Sequence, residues 1–260
     1  MTAPLGAGTV VGVGAWRGVG ATATAHALAA ALAAAGERPW LIEADPAGGV
    51  LAARLGVTAG ALEPVAFPLT GAARDAVGRF TDAATDHGGI RVVTAPGDAF
   101  RAWACHAPRQ PWAGALRELD GPVVVDLGRV RGAGPHGAVL DQLDQLLLTC
   151  DADPVSVVAS AEWAGAAGRV SPVDSGLSLD IARVVVVDSP AVHHRVTRTD
   201  VDAELGDRFA GWLPWAPDVV RHLERGGALD DRRLRRQAYT HAVLHVVDRL
   251  RHWLAPGVAA

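Results

Sequence analysis

The residues with the most evident chemical potential lie close to the N-terminus, in Gly14-Ala15-Trp16-Arg17-Gly18-Val19-Gly20-Ala21-Thr22. Glycines at this density permit tight turns and let backbone N–H groups approach an anion. The Ala/Leu-rich segment that follows would add the positive end of a helix. Such a turn can hold phosphate without any side chain. Two carboxylates could serve a phosphate held there: Asp45, in Glu43-Ala44-Asp45-Pro46-Ala47-Gly48-Gly49, and Asp126, which closes the apolar run Pro122-Val123-Val124-Val125. Either could enter a magnesium shell or orient an attacking water. An aspartate before a proline is also an ordinary turn residue, and many buried parallel strands end in aspartate.

The chemistry lacks one component. All 24 basic residues are arginine, and the chain has no lysine and no asparagine. A biased base composition explains arginine at surface positions, but not at a position where a lysine would grip a nucleotide phosphate.

The elements that must position these groups are legible as alternation. Short β-rich runs at Thr9–Val13, Pro39–Ile42, Ile90–Thr94, Pro122–Leu127, Gln145–Thr149, Ile181–Val187 and Phe209–Leu213 are separated by helical patterns. This predicts an α/β fold with a doubly wound, mostly parallel sheet flanked by helices. Runs such as Val184–Val187 are apolar on both faces, as central strands covered on each side must be. Helices are expected over Ala21–Ala35, closed by Gly36, and over Ala73–Ala84, with Ser171–Leu179 as a connecting loop. No domain boundary is evident, so residues 1–260 are expected to form one domain.

Half of the 260 residues are apolar and the formal net charge is -4. That balance argues against a protein coating nucleic acid with its whole surface and leaves only a local basic patch. Cys105 and Cys150 show no metal-ligand or disulfide spacing, and no basic leader or membrane-length apolar run of roughly 20 residues is found. A cytoplasmic location is expected, with at most peripheral contact at the inner face of the membrane.

Taken in order, the segments resemble the ParA/MinD group of P-loop ATPases. The glycine loop has the spacing of that group's deviant Walker A, K-G-G-x-G-K-[ST], but Trp16 stands at the first lysine, Arg17 replaces a glycine and Ala21 stands at the phosphate-gripping lysine. Thr22 keeps the magnesium-binding hydroxyl. The Asp45-Pro46 segment looks like the D-x-D-P-x-G switch, with Glu43 for its first aspartate, and Val125-Asp126-Leu127 resembles a Walker B strand. Gly211-Trp212-Leu213-Pro214-Trp215 and the following helix to Gly226 are similar to the family's base-bordering region. Asp188 falls near the position of an adenine-reading asparagine, which puts adenine selectivity in doubt.

The subgroup most similar is the actinobacterial CpaE-like or TadZ-like, septum-site-determining branch, associated with pilus and secretion loci. The resemblance implies ATP or ADP with magnesium, weakly held or absent, at Arg17, Gly18, Val19, Gly20, Ala21, Thr22 and Pro214, with the metal at Thr22, Asp45 and Asp126. It implies a homodimer and protein partners in a pilus, secretion or division apparatus. Losing one charge-assisted phosphate contact costs about 1.5 to 3 kcal/mol, roughly one to two powers of ten in affinity. Losing a positioned cation slows hydrolysis by about a hundred- to thousandfold. A pseudo-ATPase scaffold is therefore expected, with Asp45 and Asp126 as the candidate catalytic residues should turnover persist. The alternatives are a slow ATPase in which an arginine replaces the lysine, and a nucleotide-free partner- or DNA-binding module.

Residues 231–254 are expected to form an amphipathic helix with apolar positions Leu234, Ala238, Ala242, Val246, Leu250 and Trp253. Over 231–252 it would carry six arginines against two aspartates. It could dock on the sheet, or touch anionic lipid or DNA. His241, His245, Asp248 and His252 fall near one face of it, a conceivable but unsigned metal set. Trp212 and Trp215 could mark a partner surface.

Overall fold

The protein is described as a computed structural model, covering residues 4–16, 19–68, 75–107, 111–130, 134–166 and 181–255. Eight strands lie in one sheet: β1 Val10–Ala15, β2 Trp40–Glu43, β3 Thr85–His87, β4 Ile90–Val93, β5 Val123–Arg129, β6 Gln145–Asp151, β7 Ala182–Val187 and β8 Phe209–Leu213. Their order is β3-β4-β2-β5-β1-β6-β7-β8. Every pairing is parallel except β3 with β4. All seven expected runs are strands, with ends shifted by a residue or two. The unexpected strand, β3, is three residues long and carries no apolar alternation. It exists because Gly88 and Gly89, at φ of 60° and 80°, close a tight hairpin onto β4.

The helices are α1 Ala21–Ala34, α2 Leu51–Leu55, α3 Glu63–Ala66, α4 Ala76–Ala83, α5 Ala99–Ala104, α6 Gly137–Leu140, α7 Pro154–Ala166, α8 Arg198–Leu205, α9 Pro217–Glu224 and α10 Ala238–Trp253. Strand residues alternate between two apolar layers. Val10, Ile42, Val123, Val125, Leu146, Leu148, Val184 and Val186 face one layer, with residues of α3, α4, α6, α7 and α8. Val11, Val13, Leu41, Val124, Leu147 and Val185 face the other, with α1, α9 and α10. This is the doubly wound arrangement that two-sided apolar runs demand.

Helix α1 ends as expected, with Gly36 at φ 83°. Helix α4 starts where the Asp75 side chain accepts the Gly78 N–H at 2.7 Å. The expected start at Ala73 and the expected loop Ser171–Leu179 lie outside the described residues.

One expectation is corrected. The C-terminal helix begins at Ala238, not at 231, and residues 229–236 form turns and a bend. Arg232, Arg233, Arg235 and Arg236 would repel one another at helical spacing. Leu229 and Leu234 are both buried five residues apart, a spacing that one helix face does not supply. Asp231 is held by His222 at 2.5 Å. The buried stripe of α10 is Tyr239, Val243, Val246, Val247 and Leu250, turned from the expected one so that Ala238 is exposed. Arg251 folds inward onto Glu37 at 2.7 Å. No helix among the described residues is long and apolar enough to cross a membrane. No cluster of three or more metal-ligating side chains occurs among them, on α10 or elsewhere.

Candidate functional site at the head of helix α1

In this strand order the chain leaves β1 toward β2 on one side and later reaches β6 on the other. Doubly wound sheets open a crevice at such a reversal, beyond the C-terminal ends of the strands. The glycine loop lies there. Gly14, near the end of β1, has no room for a side chain because Val130 Cγ2 occupies the space. After Arg17 and Gly18, which lie outside the described residues, Gly20 takes φ 68° and starts α1 with no side-chain cap. Its carbonyl accepts the Thr24 N–H at 2.8 Å. The N–H groups of Ala21, Thr22 and Ala23 belong to the first turn, which has no intrahelical acceptors.

The loop is held from beneath by a residue that sequence reasoning missed. Thr149, buried in β6, donates its hydroxyl to the Val19 carbonyl and lies 3.4 Å from the Gly14 carbonyl.

Asp126 lies in β5, where the register with β1 pairs Val13 with Asp126 but Gly14 with Gly128. Its Oδ1 accepts the Gly128 N–H at 3.0 Å. Its Oδ2 is buried without a hydrogen-bond partner among the described residues. Desolvation pushes its pKa up to about 7; the nearby Thr22 hydroxyl and the Gly128 N–H oppose the rise, while Glu43 and Asp45 add to it. Thr22 approaches this carboxyl without satisfying Oδ2 by a bond of good geometry.

Asp45 stands over Gly128, whose φ of 58° and missing Cβ leave the space that Asp45 Oδ2 fills. Its Oδ1 accepts the Ala47 N–H at 2.8 Å. Desolvation raises its pKa, offset by that bond and by Arg129. Glu43, matched above to a switch aspartate, does something else. Fully buried, it accepts the N–H groups of Val50 at 2.6 Å, Leu51 at 2.8 Å and Ala95 at 3.0 Å, and so ties the switch segment to the end of β4.

These groups surround a cleft of two adjoining parts. One, of ≈ 460 Å³, is lined by Gly20, Ala21, Thr22, Asp45, Arg54 and Arg129 among others. The second, of ≈ 310 Å³, continues along α1 past Val19 to Val187, Pro214, Trp215, Pro217 and Tyr239. Both volumes lie in the range of small-ligand sites. A head-of-helix turn facing the Asp45 carboxylate, with Asp126 buried beneath Thr22 and an apolar extension, suits a phosphate-bearing ligand with a cation and a flat apolar moiety.

The septum site-determining protein MinD of Pyrococcus horikoshii, solved with Mg-ADP, superposes with a TM-score of 0.71 at 12% identity, over 93% of this chain and 95% of that one. The protein has the fold of the MinD and ParA ATPases. A ParA family ATPase of Chlorobium tepidum gives 0.68 at 14% identity, covering 91% of this chain and 96% of that one. The MinC:MinD cell division complex of Aquifex aeolicus gives 0.66 at 16%, covering 95% and 98%. No protein-family model matches the sequence, and no curated protein matches it.

On the MinD/ParA fold, the expected Val19, Gly20, Ala21, Thr22, Asp45 and Pro214 all border the cleft, and Asp126 lies beneath it. Asp188 does not line it: its carboxylate pairs with Arg195 at 3.3 Å. Trp16, at the position matched to the first lysine, is the last described residue before Arg17. Its ring packs 6.1 Å from that of Trp163 on α7 of the same chain. Arg54, Arg129, Thr149 and Tyr239 were not singled out in the sequence. Arg129 and Thr149 had a weak signal, as strand-end residues beside β1. Arg54 and Tyr239 had none.

Proposed function

We propose that the chain is a ParA/MinD-like positioning or scaffold protein, one domain over residues 1–260, that holds an adenine nucleotide with magnesium in this cleft and turns it over inefficiently. The observation that carries the reading is the buried Asp126 Oδ2, without a hydrogen-bond partner among the described residues and close to Thr22, which lines the cleft at the first turn of α1. An unpaired buried carboxylate is costly, and a divalent cation relieves that cost.

In this reading Gly18, Val19, Gly20, Ala21 and Thr22 hold phosphates through backbone N–H groups. Thr22, Asp45 and Asp126 would hold magnesium, which supplies charge neutralisation at the phosphate oxygens. Asp45 is placed to orient water. Position 21 contributes no cation, so charge developing at the phosphate lacks the stabiliser that sets the rate. The MinD of Pyrococcus horikoshii carries Mg-ADP on the same fold, which supports the ligand class. The CpaE/TadZ-like branch, a homodimer and recruitment of pilus, secretion or division components belong to the same proposal. The exposed Arg232, Arg233, Arg235 and Arg236 form the candidate contact for DNA or an anionic membrane surface.

Calorimetric titration with ATP, ADP and magnesium tests this. Magnesium-dependent binding with negligible phosphate release is expected, and no heat with any nucleotide would overturn it. A slow ATPase is the second reading, favoured by Arg129 beside Asp45; steady phosphate release lost in Asp45→Ala would establish it.

A further inference from the structure

The loop lacks a lysine, yet the cleft does not lack cations. Arg54, on α2 just beyond the switch segment, borders the same cavity as Ala21, and among the described residues it is the one cation that lines both parts of the cleft. Its charge reaches inward, where it helps to depress the buried His26 and pulls against the rise at the buried Tyr239. Arg129 borders only the first part, where its charge acts on Asp45, and Arg221 borders only the second, paired with Asp218.

Arg54 is at present tied across the cleft rim. Its Nε and Nη2 both reach Glu224 Oε1 of α9, at 2.6 Å and 2.5 Å. One carboxylate oxygen thus takes two donors, and the Nη1 donors stay uncommitted among the described residues. The pair is about a third exposed on the arginine side, at 34%, against 17% for Glu224. Water reaches the arginine side of the pair and screens it in part, so a stronger acceptor can replace Glu224. A phosphate presents more charge and a bidentate acceptor that matches the guanidinium fork.

We propose that Arg54 is the phosphate-binding cation that the glycine loop lacks, and that it exchanges Glu224 for the phosphates of a nucleoside di- or triphosphate entering the cleft. This rests on the nucleotide-binding reading above. It places the missing charge on the element that follows the switch segment, so that phosphate occupancy and the position of α2 relative to α9 become linked.

The test is calorimetric titration of the full chain and its Arg54→Ala, Glu224→Gln and Arg17→Ala variants with Mg-ADP and with magnesium pyrophosphate. Arg54→Ala should weaken both ligands by about ten- to a hundredfold. Glu224→Gln, which frees Arg54, should tighten both a few-fold. A merely structural ion pair would instead make both variants lose affinity together, so opposite signs separate the two even where Arg54→Ala lowers the melting temperature. Unchanged affinity in Arg54→Ala, or a loss confined to Arg17→Ala, would overturn the assignment and leave nucleotide binding intact. Failure of the unmodified chain to bind either ligand would remove both readings.

Discussion

Around Thr22 the cleft is lined by glycine, short side chains and charge, whereas around Trp215 it is lined by Val187, Pro214, Pro217, Val220 and the buried Tyr239. The first half offers backbone donors and carboxyls at fixed positions and so selects by charge. The second offers mainly apolar surface and so selects by shape and stacking. The two halves should therefore tolerate change very differently, because unpaired buried polar groups are costly and apolar contacts are forgiving.

The largest expected effect lies in the polar half. Asp126 titrates near 3.8 unfolded and about 7 folded, so its folded state binds the extra proton between those values. Stability is favoured below about pH 4 and is lost as pH rises through 7. Asp126→Asn should then be more stable than the parent at pH 8 by ~2 kcal/mol or more, and equal to it near pH 4. Denaturant midpoints across that range check this, and parallel curves would break it. The same substitution should remove the magnesium dependence of nucleotide binding. In the parent, Mg-nucleotide affinity should rise with pH through about 7, since a cation needs the ionised carboxyl.

Gly128→Ala comes next. A side chain there meets Asp45 Oδ2 at a backbone φ of 58°, and a cost of ~1 to 3 kcal/mol is expected together with displaced Asp45. A denaturation curve and a nucleotide titration measure the two parts. Thr149→Val keeps the shape but removes the donor to the Val19 carbonyl. Its expected cost is about 1 to 2 kcal/mol, with weaker phosphate binding and no change in base preference.

The smallest effects belong to the apolar half. Trp215→Ala, at a residue 57% exposed, should weaken nucleotide binding by about tenfold or less. ATP and GTP should differ by roughly tenfold or less, because an apolar pocket discriminates weakly where a hydrogen-bonding one does not. A strong preference for one base in competition binding would show that the second half also reads polar edges.

The polar half was largely legible in the sequence and the apolar half was not. Glycines 14 to 20, Thr22, Asp45 and Asp126 announce themselves because phosphate and magnesium chemistry needs those residue types at fixed distances from strand ends. Arg54 and Tyr239 carry no such signature, since any arginine on a short helix or tyrosine on an amphipathic one looks alike until packing brings α2, α9 and α10 around α1. The motif match gave Glu43 only a position; packing shows it as the acceptor for the N–H groups of Val50, Leu51 and Ala95. Apolar spacing alone extends the C-terminal helix back to 231, whereas the mutual repulsion of four arginines keeps it from starting before Ala238.

Local chemistry in the sequence determined the parallel sheet, the turn before α1 and the missing lysine, because strand runs, glycine turns and residue identity act over a few neighbours. Only the tertiary structure decided which groups meet at and around the cleft: that Asp126 keeps one oxygen unpaired among the described residues, that Trp16 packs near Trp163, and that Arg54 meets Glu224 from 170 residues away. Those outcomes depend on burial and on contacts distant along the chain, which no short-range pattern encodes.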